Sequence, residues 1–311
     1  MRVNSDALQW TDRSDAGKLS VTGPDAFDYL QAHLSADLRG VAVGAGSATA
    51  LLTPRGQVRA LARVLRFERG WLLHCERAAL EGLFRGLWNG RIGWRVELHK
   101  LTLQQALVTV LGDDAVARLG LAQALGAGEH AHAAAALDGV PLRAVRSWAG
   151  VDLVARADHA DALAAAIAAR AGAGAAPLER CDWDWRRVIA GRLAYGVDVA
   201  ETMLPAELAL SPPLVATEKG LYPGMQTVLR QQRSGTVHRR ICRLHAPVLL
   251  APGDELLGGA DGPSAGTITS GVCFDGLALV RLRGDGSAPL VHRPSGATVQ
   301  ARPLDSGAPS L

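Results

Sequence analysis

The chain has 311 residues, 48% hydrophobic and 20% charged, enough apolar material for one large domain or two to three small ones and too much for wholesale disorder. Its 33 Lys+Arg against 30 Asp+Glu leave a net +3, too little for bulk electrostatics to imply nucleic-acid binding, so no direct nucleic-acid partner is expected. No run of about 18 uncharged apolar residues occurs, which excludes a helical membrane span.

The opening MRVNSDALQWTDR carries charge too early for a signal peptide. Four cysteines, Cys75, Cys181, Cys242 and Cys273, lie too far apart for a C-x-x-C or zinc pattern. A reducing cytoplasm is therefore expected, with each cysteine a small buried hydrophobe and no metal site. Only Lys18, Lys100 and Lys219 are lysines, so the positive charge is almost all arginine.

In chain order, Gly23-Pro24-Asp25 opens an amphipathic helix over Ala26–Leu38, with Phe27, Leu30 and Leu34 at helical spacing. Ala48–Leu52 and Val58–Phe67 read as strands around a Thr53-Pro54-Arg55-Gly56 turn, a hairpin. Trp71–Cys75 is a further strand, and Glu76–Trp88 has helical spacing. A buried strand follows from Ala106, then a helix over Asp113–Leu119. Val140–Val145 and Val151–Val154 are strands joined by Trp148-Ala149-Gly150. His159–Arg170 is an alanine-rich helix stopped by Gly172 to Pro177, and Asp182–Ala190 is another helix, with Trp183 and Trp185 in its core.

After about Val237 the texture changes. Short apolar runs (Ile241–Leu244, Val248–Leu250, Ala265–Ile268, Leu277–Val280, Pro289–Val291) alternate with Gly, Pro and Asp turns, the pattern of a small β-barrel or sandwich. The fold class is α+β, with a body over residues 1–235 and a β-rich module over 236–311. Ser306 to Leu311 are expected to fray.

Several patterns resemble catalytic motifs without their context. Gly262-Pro263-Ser264-Ala265-Gly266 fits G-x-S-x-G, but Thr267-Ile268-Thr269 after it is strand material where a nucleophile elbow needs a helix, so a turn is preferred. His130-Ala131-His132 has no third ligand nearby and sits in an Ala/Gly-rich stretch, so a solvated loop is preferred. Gly44-Ala45-Gly46 lacks the third glycine of a dinucleotide fingerprint. Arg230, Arg233, Arg239, Arg240, Arg243 and His238 form an acid-free run, either a solvated strand face or an anion site, since guanidinium forks match carboxylates and phosphates.

Two stretches are not generic. One is Arg187-Val-Ile-Ala-Gly-Arg-Leu-Ala-Tyr195-Gly196-Val-Asp198. The other is Lys219-Gly220-Leu221-Tyr222-Pro223-Gly224-Met225-Gln226-Thr-Val-Leu-Arg230, a tight glycine loop carrying a point charge ahead of a helix. They resemble the glycine-cleavage T-protein (aminomethyltransferase) superfamily, and within it the folate-binding YgfZ branch with its K-G-C-[FY]-x-G-Q-E pattern. Leu30-Gln31-Ala32-His33-Leu34-Ser35-Ala36-Asp37-Leu38 is similar to the family's early F-L-Q-x-x-L-T-N-D-[VL]. Thr53-Pro54-Arg55-Gly56-Gln57-Val58 is similar to its P-x-G-[RK]-[VIL] hairpin, and Ala265-Gly266-Thr267-Ile268-Thr269-Ser270 to its G-x-[VI]-T-S barrel segment.

The resemblance implies a three-lobed ring, two α+β lobes plus a C-terminal β-barrel, around a central cavity that takes tetrahydrofolate. Gly150-Val151-Asp152-Leu153 sits where the T-protein branch carries the Glu that grips the pterin, which makes Asp152 the implied pterin carboxylate; a strand-edge Asp facing water is the other reading. Arg187 and Tyr195 match positions lining the family site, and Arg230 or Arg233 would hold the glutamate tail.

The departures also carry meaning. The branch's Cys is Leu221 here, its Gln-Glu is Met225-Gln226, and the Asn of T-N-D is Ala36. Where aminomethyltransferases place an Asp pair after the hairpin, this chain has Arg59-Ala60-Leu61. Loss of such an acid/base role typically costs about 10²–10⁴ in rate, so glycine cleavage is not expected. The resemblance then implies a cytoplasmic tetrahydrofolate-binding protein of the YgfZ type, supporting iron–sulfur enzymes and tRNA modification without turnover of its own, an iron–sulfur enzyme being its partner. The alternative is an enzyme using the same cavity for folate-dependent one-carbon transfer or another reaction, as in specialised metabolism, with Lys219, Tyr222 and Asp37 as acid/base candidates. A binding module with a blocked pocket is a third reading.

Overall fold

The computed structural model describes residues 8–172, 177–281 and 289–304. The expected fraying of Ser306 to Leu311, and most of the expected helix stop between Gly172 and Pro177, lie outside the described residues. The architecture is α+β with a closed six-stranded barrel at its C-terminal end. Two compact units divide the chain, one of residues 1–30, 38–47 and 63–183, the other of 31–37, 48–62 and 184–311.

The elements up to the middle of the chain are β1 (Gln9–Asp12), β2 (Gly17–Thr22), α1 (Ala26–His33), β3 (Gly46–Leu52), β4 (Val58–Phe67), β5 (Gly70–Cys75), α2 (Leu80–Gly90), β6 (Glu97–Lys100), β7 (Gln105–Leu111), α3 (Ala115–Arg118), β8 (His132–Leu137), β9 (Val140–Ser147), β10 (Gly150–Arg156) and α4 (Ala160–Ala171). One sheet has the order β1-β7-β10-β9-β8, the other β3-β4-β5-β2-β6. In the first unit, Val110, Val151 and Leu153 are sealed beneath Leu163 and Ile167 of α4, the i, i+4 pair that its amphipathic stripe supplies.

Then come α5 (Arg180–Ile189), a 3-10 turn (Pro205–Leu208), α6 (Met225–Ser234), β11 (Arg239–His245), β12 (Glu255–Gly258), β13 (Ser264–Val272), β14 (Asp275–Arg281), β15 (Leu290–His292) and β16 (Thr298–Pro303). The barrel closes in the order β11-β14-β13-β12-β15-β16. Alternation sends Cys242 and Leu244 into the barrel core with Ile268, Ala278 and Val299, while Ile241 turns outward to pack with Val188, Leu193 and Leu304.

The structure corrects several expectations. Helix α1 stops at His33, five residues short, and α3 is a single turn. Val248–Leu250 forms no strand, while β1, β2, β6, β8, β12 and β16 were not foreseen; all are only four to six residues long, too short for periodicity to register. His130 and His132 are buried, because His132 opens β8, stacks on Phe67 and has its Nδ1 2.9 Å from Arg143 Nη1. Trp183 is in the core, but Trp185 is 45% exposed. Cys181 and Cys273 are exposed, Cys75 and Cys242 buried, and all four are free thiols. Among the described residues, no helix is long and apolar enough to cross a membrane.

Candidate functional site

The motifs scattered along the sequence come together in the second unit. Lys219, 7% exposed, donates from Nζ to the carbonyls of Leu34 (2.6 Å) and Ala36 (2.8 Å) in the L-S-A-D segment. Its ammonium lies 5.2 Å from the ring centre of Tyr222, whose hydroxyl donates to Ala216 O at 2.9 Å. Ser35 ties the same segment down, donating to Leu214 O and accepting from Ala50 N–H. The loop thus has both flanks fastened to main chain, with Leu221, 82% exposed, at its apex.

Glycine is required where this loop meets the hairpin. Gly224 has φ +82°, and a Cβ there would come within 2.6 Å of Thr53 O and 2.7 Å of Gly56 Cα. Gly56, at φ +84°, would in turn drive a Cβ into Thr227 at 2.6 Å. The P-x-G hairpin and the K-G-x-Y-x-G loop therefore pack backbone to backbone.

The segment Arg187 to Asp198 is built around one carboxylate. Asp198 is fully buried and accepts from Arg187 Nη1 (2.7 Å), Ala194 N–H (2.9 Å), Thr269 Oγ1 (2.6 Å) and Ser270 Oγ (2.7 Å). Arg187 also donates to Ser270 Oγ, Asp184 Oδ1 and Arg192 O. A register shift between Ile268 and Ser270 marks a β-bulge in β13; it turns the adjacent Thr269 and Ser270 hydroxyls toward the same carboxylate. Two motifs that the sequence shows separately are one buried hydrogen-bond network.

Of the other candidates in this unit, Asp37 is half-buried and accepts from Gln31 Nε2 at 3.0 Å, and Tyr195 is half-buried with its hydroxyl 3.5 Å from Val58 O. Burial pushes the phenols of Tyr222 and Tyr195 up to about 12, Glu201 adding to the effect on Tyr195. Arg230 and Arg233 are exposed on α6 and, among the described residues, have no carboxylate partner. At the hairpin, Arg59 pairs with Glu201 at 3.0 Å.

Asp152 lies in the first unit. It is 1% exposed, which excludes the water-facing strand-edge reading, and sits mid-sheet on β10. Its Oδ2 is 2.6 Å from Arg63 Nη2 on β4 and its Oδ1 accepts from Thr109 at 2.7 Å, so the ion pair bridges two sheets. Burial would raise its pKa; the Arg63 guanidinium, helped by Arg13 and the Thr109 bond, outweighs that and holds it below the ordinary carboxylate value. Arg63 also donates from Nε to His74 Nδ1 at 3.1 Å, and burial beside that cation keeps His74 neutral, well below the usual imidazole range. The bonded Nδ1 acts as acceptor, so the ring proton sits on Nε2.

Sequence reasoning missed Arg63, His74, Thr109 and Glu201, whose partners lie from 11 to 142 positions away, and it missed a Ser-His-Asp alignment in the barrel. His292 has Nε2 2.8 Å from Asp254 Oδ2 and Nδ1 2.8 Å from Ser295 Oγ. Ser295 Oγ also accepts Ala297 N–H, and the N–H groups of Ser295 and Gly296 are spent on His292 O. That turn has no donors left for an oxyanion, so the alignment is a turn staple. Among the described residues, no group of three His, Cys, Asp or Glu side chains could hold a metal ion.

The fold is that of the glycine cleavage T-protein. The chain matches aminomethyltransferase T of the glycine cleavage system from Bartonella henselae with a TM-score of 0.82 at 19% identity, over 97% of this chain and 87% of that one. It is 23% identical over 268 residues to a chloroplastic Arabidopsis thaliana protein that bears a provisional transferase name, a match over 83% of this chain. The chain spans 60% of the length of that curated relative. A heterotetrameric sarcosine oxidase from Corynebacterium sp. U-96 matches at 17% identity over 56% of this chain and 90% of that one, with a TM-score of 0.39, too low to weigh. No family model matches.

Proposed function

We propose that this protein binds a reduced folate, tetrahydrofolate or a derivative, as an accessory protein of the YgfZ type that supports iron–sulfur enzymes and tRNA modification without aminomethyl transfer. The observation that carries the reading is the T-protein fold over nearly the whole chain, joined to polar groups in the loop that are already committed to main-chain carbonyls. Such a loop is a fixed scaffold, better suited to holding a ligand than to moving protons.

The residues fit a folate unequally. Arg230 and Arg233, exposed on one helix, suit the carboxylates of a glutamate tail, and Tyr195 and Arg187 would stiffen the wall. Asp152 fits least: Arg63 and Thr109 use two of its roughly four lone-pair sites, and a pterin would have to take the others after the sheets part. A transferase reading has one supporting observation, Glu201 beside Arg59, with Lys219, Tyr222 and Asp37 as its acid/base groups. When bound, the folate would supply the one-carbon chemistry.

Calorimetric titration with 5-formyl-tetrahydrofolate tests the proposal. The expected result is micromolar binding, weakened about 10- to 100-fold in Arg230→Ala/Arg233→Ala, the equivalent of one charge-assisted hydrogen bond at about 1.5–3 kcal/mol. No binding by the unaltered protein would overturn it.

A further inference from the structure

Every sheet edge is a row of unpaired main-chain groups that a soluble protein has to guard. Three of the four edges here are guarded. Strand β1 is covered by the segment at Pro177, with Leu178 N–H donating to Trp10 O. Strand β3 is covered by residues 34 and 35, through the Leu34–Leu51 bridge and Ser35 N–H on Ala50 O. Strand β6 reads Glu-Leu-His-Lys, charged at both ends.

Strand β8 has none of these protections. It ends its sheet and reads His-Ala-Ala-Ala-Ala-Leu, with no charge and no proline from Ala133 to Leu137. Only its first residue is covered, by the loop before β3, where Gly44 O accepts the His132 N–H at 2.7 Å. That bond shows His132 pointing its main-chain groups away from β9. By the two-residue alternation of an antiparallel ladder, Ala134 and Ala136 do the same. Both are exposed, and among the described residues neither has a main-chain partner on that side.

We infer that β8 pairs antiparallel with β8 of a second copy of this chain, forming a two-fold dimer with a continuous sheet. A strand that recognises foreign peptides reads them through pockets for alternate side chains; this edge presents only alanine methyls and offers none. A strand with neither charge nor bulk meets its own copy without like-charge pairs or clashes, and an antiparallel pairing is self-complementary across a two-fold axis. Helix α4 packs on β8 and β10 and exposes Ala162, Ala165 and Ala169 at helical spacing. The same two-fold therefore lets the helices of the two copies approach closely beside the joined edges.

Sedimentation velocity on the full chain tests this. The expected species has twice the 32.6 kDa chain mass and dissociates on dilution from about 100 µM to about 1 µM. Amide exchange at Ala134 and Ala136 should slow as the protein is concentrated. Ala134→Pro removes an N–H that β9 does not use, and Ala136→Lys places a charge on the edge; each should weaken association at least tenfold while circular dichroism and thermal midpoint stay unchanged. Should the proline variant misfold, the lysine variant alone decides. A monomer at every concentration, or a dimer indifferent to the lysine, overturns the inference.

Discussion

Replacing Asp198 with alanine removes the acceptor of four hydrogen bonds and leaves Arg187 buried without that carboxylate. Arg187 keeps Asp184, itself one-third exposed, so its charge is not wholly uncompensated. Breaking one side of a buried ion pair costs about 3–5 kcal/mol; the surviving Asp184 contact places Asp198→Ala near the lower end. Against a total stability of about 5–15 kcal/mol, that loss is large. Urea unfolding followed by tryptophan fluorescence, with Trp185 on α5 two residues from Arg187, reads it. The double variant Asp198→Leu with Arg187→Met should recover part of the loss, because an apolar pair of similar volume carries no desolvation penalty. Asp198→Ala within about 1 kcal/mol of the parent protein, the size of a surface change, would refute the assignment of this network as the fastening between α5 and the barrel.

Other outcomes follow from the same geometry. Gly224→Ala must both hold φ +82° and push its Cβ into main chain at Thr53 and Gly56, whereas a Cβ at Gly220, φ +106°, meets nothing within 4 Å. Gly224→Ala should therefore cost more than Gly220→Ala by at least about 1 kcal/mol in thermal unfolding; equal costs would mean that the loop does not seat on the hairpin. Acid should weaken the protein early. His74 is held neutral by burial and by Arg63, so below its unfolded value of about 6.5 the unfolded chain takes up a proton that the folded one refuses. Stability then falls by about 1.4 kcal/mol per pH unit from this group. His132, with a folded value of about 4 set by burial and then by Arg143, adds to the slope until it too protonates. The depressed carboxyl of Asp152 extends the loss below its ordinary value of 3.8. Flat unfolding free energies between pH 6.5 and 4.5 would sink this account.

Much of the local structure was legible in the residues. The hairpin of β3 and β4 followed from Thr53-Pro54-Arg55-Gly56 between two apolar runs, because a turn residue and the alternation beside it are set by near neighbours. Helices α4 and α5, strands β5, β7 and β10 and the change of texture into the barrel were readable for the same reason. So was the ordered series of family-like motifs, since residues that must fit one another's backbone, such as Gly56 and Gly224, leave a mark on composition.

Tertiary structure alone decided what those residues touch. Asp152 reads as a carboxylate on a strand, and only the packing of two sheets makes it the partner of Arg63, 89 positions away. Asp198 shows nothing of its four donors until a bulge in β13 turns Thr269 and Ser270 toward it. His130 and His132 look solvated among alanines and glycines, yet Phe67 and Arg143 close over His132. The sequence by itself determined the α+β class, the barrel and the segments that would converge, because turns and hydrophobic periodicity act over a few residues. Which charges are buried, which edge stays bare and which loop groups are already bound were decided by contacts between segments distant in the chain, whose energies depend on desolvation and geometry that no local pattern encodes.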